Sequence, residues 1–180
     1  MKMKRTLIRP NGVPNSISEQ VVTPIMPSVV YASESPDALD KQYEGEQKGY
    51  TYAREGHPNA EILALLIDKL EGGTSGLVVS SGMAAISSLI MGTLSSGDHV
   101  LGGSQLYGRT LRLMREDLPR FGIQTSFADP TNIASVKNEI RKNTKMILIE
   151  CVSNPTLRVA DLEGIANHVS YTHLTLPTNP

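Results

Sequence analysis
From about residue 59 onward, apolar positions follow two spacings in turn. Between 59 and 70, Ile62, Leu65, Leu66 and Leu70 fall at the three- and four-residue steps of a helix face, and Gly72-Gly73 stops it. Beyond that, short apolar runs predict strands at 76–80, 99–101, 124–127 and 146–150, and helical spacing predicts helices at 84–94, 110–118 and 133–140. Strand and helix alternating, with connections of this length, predict an α/β fold with a mostly parallel sheet covered by helices on both faces.

The two ends follow neither spacing. Residues 1 to about 50 hold Pro10, Pro14, Pro24, Pro27 and Pro36 with little sustained periodicity, the pattern of an extended arm that docks on a partner surface. From about His168 the chain is uncharged and rich in Thr and Pro, and the spacing of Leu162, Ile165 and Ala166 is not continued. Three parts are expected: an arm and subunit-interface segment at 1–58, an α/β domain at 59–167, and a non-native, adaptor-like tail at 168–180.

Composition narrows the class. In 180 residues, 39% hydrophobic with 15 glycines, there is enough apolar material for a packed core and no sign of disorder. Seventeen basic residues face 18 acidic ones, and only Lys2, Lys4 and Arg5 cluster, so nucleic acid is excluded as a partner. No apolar stretch approaches the roughly 18 residues of a membrane span, and the start lacks a signal-peptide core, which predicts a cytoplasmic protein with no membrane partner. Cys151 stands alone, excluding an internal disulfide and a thiolate metal cage.

The most informative stretch is Leu77-Val78-Val79-Ser80-Ser81-Gly82-Met83-Ala84-Ala85, an apolar run, a small-residue turn and a helix start. The first amides of a helix have no partner inside it and carry the positive end of its dipole, and Gly82 lets an anion come close. The dipole adds roughly 0.3 to 1 kcal/mol, and charge-assisted hydrogen bonds about 1.5 to 3 kcal/mol each, enough to fix a phosphate without a metal. Ser and Gly are also ordinary helix caps, so the turn alone identifies nothing. In open parallel sheets, ligands bind beyond the carboxyl ends of the strands. There the chain places Tyr107, whose ring suits a flat heteroaromatic ligand, and Asn154, whose amide suits a ring substituent.

Several segments, in order, carry a resemblance. Tyr52-Ala53-Arg54, Gly56-His57-Pro58, Leu70-Glu71-Gly72, Ser81-Gly82-Met83-Ala84-Ala85, Gly97-Asp98, Leu106-Tyr107-Gly108, and Glu150 with Ser153-Asn154-Pro155-Thr156 resemble the Cys/Met-metabolism family of pyridoxal-phosphate enzymes. These are the transsulfuration enzymes: cystathionine γ-synthase and lyases, methionine γ-lyase and O-acetylhomoserine sulfhydrylase. The resemblance implies the large domain of a fold type I transferase, incomplete here and preceded by the arm. It implies pyridoxal 5'-phosphate as cofactor, with its phosphate on the amides of Gly82 and Met83. Tyr107 stacks on the pyridine ring and takes part in proton transfer, and Asn154 lies near the ring's 3-oxygen. Tyr52 and Arg54 reach the phosphate of the neighbouring subunit in a homodimer or homotetramer, and Arg suits a phosphate bidentately.

The implied function is elimination or replacement at the γ- or β-carbon of a sulfur or homoserine-derived amino acid. Arg109 stands where methionine γ-lyases commonly carry a cysteine, and Thr110-Leu111-Arg112 is closer to the cystathionine enzymes. The family's Schiff-base lysine and its pyridine-binding aspartate lie downstream of the matched region, so the 180-residue chain by itself is expected to be inactive. Lys145 opens the last predicted strand, five steps or roughly 16 Å from the carboxyl end where the site forms, and Lys137 and Lys142, also at its amino end, read as solvated charges. Two other classes stay open: another fold type I enzyme such as an aminotransferase, and a non-catalytic interaction module retaining the fold.

Overall fold
A computed structural model describes residues 21–170. The chain divides between Leu66 and Ile67 into two compact units. In the first, Ser35 caps helix α1 (Pro36–Tyr43): its hydroxyl accepts the Ala38 amide at 3.1 Å, and Pro36 takes a first-turn position where no amide is missed. Eight residues are too few for a periodicity to be visible, which is why this segment reads as featureless arm from sequence. Val30 and Tyr52 form an antiparallel bridge, with the Tyr31 amide on the Thr51 carbonyl and the Ala53 amide on the Val29 carbonyl. The Asn59 side chain closes a further contact, accepting the Met26 amide and donating to the Pro24 carbonyl, both at 2.8 Å. Helix α2 (Pro58–Glu71) carries the expected helical segment, and Gly72, at φ 70°, ends it in the left-handed conformation.

The second unit holds helix α3 (Gly82–Thr93), strand β1 (His99–Gly103), helix α4 (Gly108–Arg112), strand β2 (Gln124–Ala128), helix α5 (Ile133–Glu139), strand β3 (Thr144–Leu148) and helix α6 (Leu162–Ser170). The strands form one parallel sheet in the order β2, β1, β3, with Val100 opposite Thr125 on one side and Met146 on the other. The central strand β1 is buried throughout, as a strand covered on both faces must be. Its side chains alternate: Val100 packs with Ile90, Leu94, Leu106, Met114 and Leu118, while Leu101 packs with Ala128, Val136, Ile165 and Val169. Two cores, one per face, hold the sheet. Gly102 is demanded by the first, since a Cβ there would stand 2.7 Å from the Met114 methyl.

Three expectations need correction. The run at 76–80 forms no strand: among the described residues the three strands pair with one another and none lies against it, and Leu77 is 80% exposed. Apolar patterning supplied the side chains of a strand without a neighbouring edge. The helix expected at 110–118 starts at Gly108 and changes form, through a π-helical turn (Leu113–Asp117) to a 3-10 turn (Leu118–Phe121). Pro119 has no amide to continue the α register, and Gly122, at φ 77°, closes the segment. The helical pattern expected to lapse at 168 continues to Ser170 in α6, and the remainder of the tail, 171–180, lies outside the described residues, as do residues 1–20 of the arm.

At the amino end of the sheet His99 is fully buried and bonded to both flanking strands, Nδ1 to Thr144 Oγ1 at 2.8 Å and Nε2 to Ser126 Oγ at 3.0 Å. Thr144 Oγ1 also accepts the Arg141 amide at 2.7 Å, so this hydroxyl links the ring to the turn before β3. Burial, and secondarily the Arg141 charge, hold the imidazole below its ordinary pKa against an opposing influence from Glu139.

Candidate functional site
The loops after β1 and β3 leave the carboxyl end of the sheet, and the start of α3 joins them. Ser81, extended at φ −164° and ψ 163°, caps α3: its Oγ accepts the Ala84 amide at 3.1 Å and its carbonyl the Ala85 amide at 2.9 Å. The amides of Gly82 and Met83 come before these two, so the helix gives them no internal acceptor. A Cβ built on Gly82 meets nothing within 4 Å, and the first turn holds no acidic residue, leaving approach to these amides open to an anion.

The second segment is the loop between β1 and α4. Leu106 is buried and anchors it, while Tyr107 is 56% exposed. The Tyr107 amide donates to Glu150 Oε1 at 2.7 Å. Three residues on, the buried Thr110 hydroxyl lies 3.8 Å from Met83 Sδ and donates to it, joining α4 to the start of α3.

The third segment connects β3 to α6. Ser153 is buried, its hydroxyl accepting the Arg158 amide at 3.0 Å and pairing with the Thr156 hydroxyl at 2.6 Å. Asn154 is exposed and precedes a cis bond to Pro155. Thr156 Oγ1 donates to Gln105 Oε1 at 3.2 Å, tying this loop to the one that carries Tyr107. Gln105 Nε2 is a buried donor with no acceptor among the described residues. On the far side Arg158 Nη2 donates to Asp129 Oδ2 at 2.8 Å and Thr131 Oγ1 at 2.7 Å.

Met83, Tyr107 and Asn154, chosen from sequence, therefore sit on three segments joined by the pairs Thr110–Met83, Glu150–Tyr107 and Thr156–Gln105. Tyr52 and Arg54 belong to the first unit: the Arg54 guanidinium lies 4.9 Å from the centre of the Tyr52 ring, and its Nε pairs with Glu55 Oε1 at 3.2 Å, both side chains exposed. Lys145 is exposed within β3, and Lys137 and Lys142 are exposed as expected of solvated charges. Sequence reasoning gave Glu150 no role and missed Gln105, Thr110 and Arg158. Their partners lie 27 to 51 residues away, and no local pattern marks such pairs.

Comparison with known proteins gives a consistent result. The family model described as Cys/Met metabolism PLP-dependent enzyme matches residues 5–176. The chain is 36% identical over 155 residues to an L-methionine gamma-lyase of Fusobacterium nucleatum subsp. nucleatum, covering 86% of this chain and 39% of that protein. It is 47% identical over 116 residues to cystathionine beta-lyase MetC of Bacillus subtilis, covering 64% of this chain and 30% of that protein. A crystal structure of a candidate O-acetylhomoserine (thiol)-lyase from Campylobacter jejuni, holding a pyridoxyl-lysine phosphate, superposes with a TM-score of 0.78 at 31% identity, covering 87% of this chain and 39% of that one. The chain thus spans about two fifths of the length of the methionine gamma-lyase it matches. No helix among the described residues is long and apolar enough to cross a membrane.

Proposed function
This chain belongs to the Cys/Met-metabolism family of pyridoxal-phosphate-dependent enzymes, and on that premise we propose that it supplies the phosphate-binding side of the cofactor site in a transsulfuration enzyme. The observation that carries the reading is the pair of amides at Gly82 and Met83, without an acceptor inside α3, unobstructed by side chains at Gly82 among the described residues and joined through Thr110 to the loop of Tyr107. The residues present fit the cofactor: two helix-start amides for its phosphate, an exposed tyrosine on the loop that Thr110 joins to them, and a side-chain amide on the neighbouring loop.

In this proposal the Gly82 and Met83 amides bind the phosphate, Tyr107 covers one face of the pyridine and holds or moves a proton at its hydroxyl, and Asn154 donates to the ring oxygen. Tyr52 and Arg54 take the phosphate of a neighbouring subunit in a homodimer or homotetramer, where a planar guanidinium gives two parallel hydrogen bonds. Bound pyridoxal phosphate supplies the electron sink for breaking a bond at the β- or γ-carbon of an amino acid. The substrates are sulfur or homoserine-derived amino acids, as the names of the relatives suggest, and the setting is the cytoplasm.

The test uses the full-length protein. Purified with pyridoxal phosphate, it should show cofactor absorbance in the visible range, and with cystathionine, O-acetylhomoserine or methionine it should release a 2-oxo acid, or a new thioether when a thiol is added. Failure to bind the cofactor overturns the proposal. Amino transfer to an added 2-oxo acid without loss of the side-chain group would mark an aminotransferase instead.

A further inference from the structure
We propose that Glu150 is a positioning residue that fixes the pose of the Tyr107 ring; this rests on the reading that Tyr107 stacks on the cofactor. Tyr107 is more than half exposed as a residue, so burial constrains it little. What sets its direction is the backbone. On the carboxyl side, the Tyr107 carbonyl accepts the Leu111 amide at 3.0 Å as the first bond of α4, and Tyr107 itself stays outside the helix at φ −47° and ψ 136°. On the amino side, its amide donates to Glu150 Oε1 at 2.7 Å, the length of a charge-assisted bond. With the peptide groups on both sides of the Cα held, the Cα–Cβ direction is fixed, and only two side-chain torsions remain.

Glu150 can serve because it lies two residues beyond Leu148, the last residue of β3, next to the buried central strand. The carboxylate thereby passes the rigidity of the sheet to a loop 43 residues earlier in the chain. The side chain of Tyr107 makes no capping bond to α4, so that helix holds the residue through its carbonyl and leaves the amide side to Glu150.

Reach matters more than charge here, and two near-isosteric variants of the full-length protein separate them. Glu150→Gln keeps an oxygen acceptor at the same distance and loses the charge, whereas Glu150→Asp keeps the charge and withdraws it by one methylene. In cofactor-free protein, hydrogen exchange at the Tyr107 amide should rise only a few-fold in Glu150→Gln, which loses the charge but keeps the bond, and about tenfold or more in Glu150→Asp and Glu150→Ala, which lose the bond. In loaded protein, the same two variants should bind pyridoxal phosphate about tenfold more weakly and lose part of its visible circular dichroism, with Glu150→Gln remaining close to the wild type in both.

The reverse order, with Glu150→Asp intact and Glu150→Gln impaired, overturns the proposal. So does unchanged exchange at Tyr107 in Glu150→Ala. Tyr107→Ala separates the two levels: if it impairs cofactor binding while Glu150→Ala and Glu150→Asp do not, positioning by Glu150 fails alone. If Tyr107→Ala leaves affinity and dichroism at wild-type values, the stacking reading fails and the proposal with it.

Discussion
Arg158 reaches back 29 residues to Asp129, Nη2 to Oδ2 at 2.8 Å, and so fastens the loop of Asn154 to the turn that follows β2. The Asp129 carboxyl is held below its ordinary pKa, first by the Thr131 amide, then by Arg158 and the Thr131 hydroxyl. A carboxyl depressed in the folded state contributes its hold above the unfolded value and loses it as pH falls through the folded one. Arg158→Ala should move the Asp129 carboxyl midpoint, followed by carbon-13 NMR, upward only part of the way, because the Thr131 amide remains. Amide exchange at Ser153 and Leu157 should quicken while the global unfolding midpoint changes little, as expected for a solvent-exposed ion pair.

Removal of one phosphate donor can be tested without breaking α3. Ser81 is already extended, as a residue before proline must be, and Gly82 is the first helical position, where proline is tolerated. Gly82→Pro should leave the helix intact by far-UV circular dichroism and weaken pyridoxal phosphate binding about 10- to 100-fold, the loss of one charge-assisted hydrogen bond of roughly 1.5 to 3 kcal/mol. Fluorescence titration of the full-length protein measures it.

Because burial and Arg141 keep His99 neutral in the fold, the unfolded chain binds the extra proton first as pH falls. Stability contributed by His99 is complete above the ordinary histidine range and declines as pH drops below about 6.5 toward the lower folded value. Urea midpoints should fall between pH 7.5 and 5.5 in the wild type, and the histidine part of that slope should vanish in His99→Gln. His99→Ala should cost about 2 to 4 kcal/mol at neutral pH through a cavity and two orphaned hydroxyls.

Gly102→Ala should destabilise by about 1 to 3 kcal/mol, since its Cβ would meet the Met114 methyl at 2.7 Å in a filled core. Met114→Ala alone should cost about 2 to 5 kcal/mol. In the double variant the new methyl occupies part of the space vacated, so the losses should sum to less than the separate values in denaturant titrations.

What was legible in the sequence is what neighbouring residues decide. Ser81-Gly82 announced the start of α3, and the alternation of short apolar runs with helical spacing announced a parallel sheet with a core on each face. The segment at 76–80 misled because β pattern describes faces and says nothing about a hydrogen-bonding neighbour. Pro119 was visible, yet whether a proline ends a helix cleanly or through π and 3-10 turns depends on how Leu118 and Met114 are packed. The segments of the candidate site could be named from their motifs, while the bonds that join them could not: Gln105 and Thr156 are 51 residues apart, and only the folded sheet brings them within reach.

The sheet separates two kinds of burden by distance along its strands. His99, Thr144 and Ser126 stitch the amino end through buried side chains, whereas the loops at the carboxyl end are tied to one another by single hydrogen bonds such as Tyr107–Glu150 and Thr156–Gln105. A change in one of these loops therefore leaves the buried amino-end contacts of the sheet untouched. Such a scaffold suits a lineage whose members, by name, cleave methionine, cystathionine and acetylhomoserine on one shared backbone.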